Sequence, residues 1–244
     1  MKKTTKRITS IFAAIAMMLS VFCIAGATTA DAATDRVSLY YADETWAWHG
    51  SSTYEVFVKT NDSAADQEVY VHYDYFIGEQ DNWYDAEAEY VTTLDDGSKI
   101  WKASFTTNVH QFCIKYVADG VTYWDNNNGN DYTGTGLGTA PIALFRNYGF
   151  VGGANRVNAR LQNYAYAKNV FVRYTTDGWN TYADQPLTYQ STNDDGTENW
   201  STSLSLGYEN TEDVEYAVCY QVNGQTYWAN NFGENYGLDF VKGF

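Results

Sequence analysis

Basic residues are scarce in this 244-residue chain, 15 Lys and Arg against 30 Asp and Glu, for a net charge of −15. A surface of that sign is repelled by nucleic acid and by anionic membranes and is indifferent to a neutral ligand. Histidine is scarcer still: His49, His72 and His110 are scattered, which suggests neither a catalytic triad nor a His-based metal site. Only two prolines occur, and no stretch sustains a helical period, which points to strands rather than helices. Long hydrophobic runs are missing except for Ile11 to Ile24, which is too short and wrongly flanked to be a membrane span. With Lys2, Lys3, Lys6 and Arg7 before it and Ala30-Asp31-Ala32 after it, that run predicts a signal peptide over residues 1–32 and a secreted, extracellular protein without membrane insertion. Two of the three cysteines lie beyond the leader, Cys113 and Cys219. They fall at non-equivalent places of a repeat described next, which excludes one disulfide per repeat and favours two free thiols.

What the chain does have is one phrase used twice, Tyr123-Trp124-Asp125-Asn126-Asn127-Asn128-Gly129-Asn130-Asp131-Tyr132 and Tyr227-Trp228-Ala229-Asn230-Asn231-Phe232-Gly233-Glu234-Asn235-Tyr236. The copies are 104 residues apart, counted from Tyr123 to Tyr227 or from Tyr132 to Tyr236. A period of that length means two copies of a small domain, expected over residues 33–140 and 141–244. Each phrase follows a Gly turn, Asp119-Gly120 or Asn223-Gly224, and sets an aromatic pair beside carboxamides. Such a group suits a pyranose: an indole covers its C–H face, and Asn both donates to and accepts from its hydroxyls. The plain competing reading is a core aromatic followed by a turn, since Asn tolerates left-handed backbone.

Around the phrase the order of segments also repeats. Val37–Tyr41, Tyr54–Thr60, Glu68–Tyr73, Trp101–Phe105, Phe112–Ala118 and Thr122–Trp124 read as strands in the first copy, with Asp81-Asn82-Trp83 in a loop. Ile142–Arg146, Arg156–Leu161, Asn169–Tyr174, Trp200–Leu206, Val214–Gln221 and Gln225–Trp228 follow in the second, with Asp177-Gly178-Trp179 in the matching loop. The segment from Thr133 to Pro141 reads as a short Gly- and Thr-rich junction that keeps the domains close. The fold expected is all-β, two tandem antiparallel β-sandwiches of immunoglobulin-like size without the Cys-Trp-Cys framework. Trp101 and Trp200, inside alternating strands, are expected in the cores.

The segments Val170-Phe171-Val172-Arg173-Tyr174-Thr175-Thr176-Asp177-Gly178-Trp179 and Tyr227-Trp228-Ala229-Asn230-Asn231 together resemble the family 21 carbohydrate-binding modules. The resemblance covers nearly all of the second copy and somewhat less of the first. It implies a non-catalytic binder of starch, glycogen and maltooligosaccharides, with amylases as neighbours and no cofactor. By that resemblance Trp83 with Trp124, and Trp179 with Trp228, form the aromatic plates of a first glucan site, joined by Asn126, Asp131, Asn230 and Asn235. A third aromatic of the family site falls on Cys113 and Ala217 and is lost in both copies. A second site is implied at Tyr166, where the first copy has Ala65, with Tyr189 and Tyr90 as further members. The family also includes phosphatase-targeting subunits, a role that the leader argues against.

Two other readings compete. Asp95-Asp96-Gly97 and Asp194-Asp195-Gly196 offer paired carboxylates, but each precedes Gly in a loop, so turns are expected and catalysis is not. An EF-hand in the Asp125 to Asp131 loop would need Gly at its sixth position and Glu at its twelfth, where Asn130 and Gly136 stand. The alternative function is a structural or adhesive surface β-sandwich that binds a protein partner.

Overall fold

Alternation of side chains builds the strands, and the computed structural model describes residues 36–46, 50–77, 80–108, 111–145, 155–204, 206 and 213–237. The leader expected over 1–32, His49 and His110 lie outside the described residues. The first half contains β1 (Val37–Trp46), β2 (Ser52–Thr60), β3 (Gln67–Ile77), β4 (Gln80–Glu87), β5 (Glu89–Thr93), β6 (Lys99–Thr107), β7 (Phe112–Ala118), β8 (Val121–Asp125) and β9 (Gly136–Leu137). The second contains β10 (Ile142–Leu144), β11 (Asn155–Leu161), β12 (Lys168–Thr175), β13 (Ala183–Pro186), β14 (Thr188–Thr192), β15 (Glu198–Leu204), β16 (Glu215–Val222), β17 (Gln225–Ala229) and β18 (Tyr236–Gly237). Two short 3-10 turns, Asn127–Gly129 and Asn231–Gly233, fall within the repeated phrase.

Four antiparallel sheets result, with orders β5-β6-β2-β1-β9 and β4-β3-β7-β8 in the first half, and β10-β11-β15-β14 and β13-β12-β16-β17 in the second, where β18 also pairs with β16. In β2, Tyr54, Val56 and Val58 point to one side and are buried. They meet Val69 and Val71 of β3 and Ile114 and Tyr116 of β7 from the opposite sheet. The second half repeats this with Val157, Ala159 and Leu161 against Val170, Val172, Val218 and Tyr220. Each fully buried aliphatic or aromatic side chain contributes about 1.5–3 kcal/mol, so these two clusters hold each sandwich together. The expected hairpins form: Asp119 and Gly120, and Asn223 and Gly224, all have positive φ, as a two-residue primed turn requires.

A third cluster joins the halves. β1 carries one extra residue, Tyr40, between the pairs Leu39–Val58 and Tyr41–Phe57. The bulge sends Leu39 and Ala42 into the first core and turns Tyr41 to the outer face. There Tyr41 stacks on Phe57 at 4.3 Å, beside Ile100 and Leu137, and Ala143, Phe145 and Phe232 of the second half cover them. The segment expected as a junction is built into the sheet: β9 pairs with Tyr41 and Ala42. Gly138 packs so tightly on β1 that an added Cβ would lie 2.1 Å from the Leu39 carbonyl oxygen.

Two expectations are corrected. Trp83 does not lie in a loop but in β4, opposite Asp74, because Tyr75 and Asn82 continue the β3–β4 ladder. Asp177 instead caps a real loop in the second half, accepting from the Thr181 amide at 2.9 Å, and Trp179 has φ +66° there. Of the two described cysteines one is a free thiol: Cys219 is free and buried, whereas Cys113 is bonded in a disulfide, against the expectation of two free thiols.

Candidate functional site

In both halves the sheet that ends in the repeated phrase turns one face to the core and the other outward. On β12 and β16, Val170, Val172, Val218 and Tyr220 point inward, so Phe171, Arg173, Ala217 and Cys219 lie on the outer face. Trp228 on β17 pairs with Cys219 and joins that face, 41% exposed. The Arg173 guanidinium makes a bidentate pair with Asp184 on β13, at 2.7 and 2.8 Å. It lies 5.5 Å from the Trp228 ring and 4.2 Å from that of Tyr182. Phe171 meets Trp228 edge-on at 6.0 Å. The indole is thereby held upright from two sides.

Trp179 is placed by its neighbours in the same way. Its indole N–H donates to Glu215 Oε2 at 2.6 Å, and Asn235 Nδ2 donates to the same oxygen at 3.2 Å. Glu215 stands two positions before Ala217 on β16, so Trp179, Asn235 and Trp228 are all tied to one outer sheet face. The Asn230 carbonyl accepts from the Gly233 and Asn235 amides at 3.0 and 2.8 Å, closing the loop, while its side chain makes no cap.

The first half is a variation on this plan. His72 stands at the place of Arg173 and pairs with Asp85 on β4, Nδ1 to Oδ1 at 2.5 Å. Its ring stacks on Trp83 at 4.9 Å with 16° between planes and meets Trp124 at 5.3 Å with 74°, so the two indoles stand steeply inclined. Lys115 donates to the other Asp85 oxygen at 2.6 Å. Burial pushes the Asp85 carboxyl up, but the hydrogen bonds from Lys115 and His72 outweigh it and hold the group below its ordinary value. Asn126 Oδ1 accepts from the Gly129 amide at 3.0 Å, and Asp131 accepts from Gln111 at 2.7 Å, so both serve the loop's shape. Asp125 is structural, accepting from the Leu39 amide and the Tyr132 hydroxyl at 2.9 and 2.7 Å.

The second expected site is more scattered. Tyr90 and Tyr189 are about half exposed and precede matching bulges in β5 and β14. Each meets a Trp edge-on, Trp101 at 5.8 Å and Trp200 at 6.0 Å. Those two Trp pack at the margin of the cores and are half-buried. Tyr166 is fully exposed on the loop before β12. The turns at Asp96 and Asp195 are confirmed as turns: Asp96 Oδ1 accepts from the Ser98 amide and Asp195 Oδ1 from the Thr197 amide, at 3.0 and 2.9 Å.

Sequence reasoning overlooked the groups between the plates: His72, Asp85 and Lys115 in one half, Arg173, Asp184 and Glu215 in the other. A signal existed, since His72 and Arg173 both follow an alternating Val-x-Val run and are the outward members of it.

Comparison with known proteins gives a consistent picture. Residues 151–239 match the family described as carbohydrate/starch-binding module (family 21). Protein phosphatase 1 regulatory subunit 3B of Bos taurus is 41% identical over 83 residues, 32% of this chain and 29% of that protein. The Homo sapiens subunit 3B is 40% identical with the same coverage, and glycogen-binding subunit 76A of Drosophila melanogaster is 36% identical over 85 residues, 32% of this chain and 12% of that protein. The chain thus spans under a third of the length of these curated relatives. Among solved structures, the carbohydrate-binding module of the muscle glycogen-targeting subunit of protein phosphatase 1 is 29% identical, with TM-score 0.34, over 39% of this chain and 73% of that one. The starch-binding domain of Rhizopus oryzae glucoamylase is 24% identical, with TM-score 0.32, over 45% and 97%. These relatives correct the expected address: they are named as phosphatase-regulatory and glycogen-binding subunits, which does not fit a secreted, extracellular protein.

Proposed function

We propose, from the premise that residues 151–239 are a family 21 carbohydrate/starch-binding module, that the chain is a non-catalytic α-glucan-binding protein whose residues 33–140 form a second such module. Trp228 carries this reading: an exposed indole, braced by Arg173 and Phe171, beside the uncapped carboxamide of Asn230. Its free face accepts the C–H side of a glucose unit, and Trp179 offers a second plate. Asn230 and Asn235 supply donors and acceptors to the hydroxyls. In the first half Trp83 and Trp124 are the plates, with Asn126 and Asp131 at the margin. Tyr166 and Tyr189 form a second contact surface in the second half, and Tyr90 is the counterpart of Tyr189 in the first.

By analogy with bases stacked on aromatic side chains, one plate contributes about 1–3 kcal/mol. One site is therefore weak, and two sites on one polymer raise apparent affinity by roughly 10²–10⁴. Starch and glycogen present the dense repeats this needs.

Affinity electrophoresis of the full chain through gels containing starch, glycogen or soluble cellulose tests the reading. Retardation is expected in the two α-glucans alone, reduced in Trp228→Ala and abolished in Trp124→Ala/Trp228→Ala, with the thermal transition nearly unchanged. Equal mobility of wild type in all gels would sink the proposal.

A further inference from the structure

We infer that the cleft between the two halves is an additional subsite for the glucan chain held at Trp228. The inference rests on the proposed role of Trp228 and extends that site across the boundary between the halves. The cleft encloses about 320 Å³, at the lower end of the range of about 300–1,000 Å³ for ligand pockets. Trp228, Asn230 and Asn231 line it from the second half, and Tyr40, Thr92 and Asp95 from the first. Trp228 and Asn230 are therefore both site and cleft residues, and a chain stacked on the indole enters the cleft without leaving the protein surface.

The lining selects the ligand class. Among the described residues its lining has no basic side chain, and the exposed Asp95 carboxylate lies at its margin, a lining that disfavours phosphates and other anions. Aromatic rings, carboxamides, a Thr hydroxyl and a carboxylate acceptor together match a neutral polyhydroxylated chain. The wall is also fixed before any ligand arrives. Asn231 and Phe232 have φ of +51° and +56°, and the Phe232 ring is seated on Phe57 and Tyr40 at 5.4 and 6.2 Å. The corresponding position in the first half is Asn128, which is exposed. Phe232 thus converts a free turn into a rigid wall between the halves, lowering the ordering cost of binding there.

Calorimetric titration of the full chain with maltotriose and maltoheptaose tests this, with Trp83→Ala, Trp124→Ala, Tyr90→Ala, Tyr166→Ala and Tyr189→Ala present throughout so that the other proposed contact surfaces do not contribute to what is read at Trp228. Adding Thr92→Ala and Asp95→Ala is expected to weaken maltoheptaose binding about threefold to tenfold and to leave maltotriose unchanged. Tyr40→Leu, which keeps an apolar contact for Phe232, is expected to act in the same sense. Unchanged maltoheptaose affinity in both variants, or equal losses for the two sugars, overturns the subsite while leaving the Trp228 site intact. Absence of binding by either sugar before the cleft changes are made removes the Trp228 reading itself, and the subsite with it.

Discussion

Arg173 and His72 occupy the same place on the outer faces of the two halves, and each is gripped by a carboxylate from the adjoining edge strand, Asp184 or Asp85. The substitution changes how an indole is supported. A guanidinium lies near the Trp228 ring, while the imidazole itself stacks on Trp83. The Asp85 carboxyl is held below its ordinary value, so the folded chain favours the carboxylate. Its stabilising contribution is complete above the usual carboxylate range and is lost as the pH falls through that range and below the lowered value. Thermal unfolding between pH 7 and pH 3 is therefore expected to show a shallower acid decline in Asp85→Asn than in wild type. At neutral pH the cost of that change is expected to be at most about 1 kcal/mol, as for other partly exposed ion pairs. An identical acid decline in both chains would show that Asp85 has no part in it. Cys219, behind Trp228, is a different kind of residue: burial pushes its thiol up to about 11, which leaves it unreactive and makes it part of the floor.

At the scale of elements, β9 is the piece that the Gly- and Thr-rich composition concealed. Gly138 after it has no room for a side chain, and the obstructing atoms are the Leu39 backbone rather than a flexible tip. Gly138→Ala is expected to cost about 1–3 kcal/mol or more, read as a lowered midpoint in urea, while Gly136→Ala, with open space around it, is expected to cost less. Equal midpoints would contradict the packing of β9 on β1. Other elements were legible because one physical rule set them. Alternation predicted β2, β3, β12 and β16, and the Asp-Gly and Asn-Gly pairs predicted the hairpins. The place of Trp83 was hidden, because the repeat suggested a loop like that of Trp179. Whether strand or loop forms depends on the residues before it: Asp74 and Tyr75 extend a ladder, where Thr175 and Asp177 close a turn. The Asn-rich phrases were legible in both senses at once. Asn127, Asn128 and Asn231 take up left-handed backbone, as the plain turn reading held, while Asn230 keeps its carboxamide uncapped.

The molecule as a whole depends on the outer face of the sheet β5-β6-β2-β1-β9 being apolar and covered. Tyr41, Phe57 and Ile100 would be a docking patch without the second half, and Phe232 is the ring that the second half sends to them. Phe232→Asn restores the residue type that stands at position 128 and is expected to cost about 1–3 kcal/mol, below the roughly 3–5 kcal/mol of a fully buried Phe. Scanning calorimetry is expected to show one transition for wild type and a broader or divided one for this variant. A sharp transition at the original temperature would mean that the ring contributes nothing to holding the halves together. Behind all of this lies Tyr40, one residue more in β1 than its partner strand can match. Removing it would restore strict alternation along β1 and swing Tyr41 from the docking face toward the first core, already filled by Tyr54 and Val56. A single residue out of step lets the strand belong to two hydrophobic clusters, and so decides whether this chain is one sandwich beside another or one body made of two.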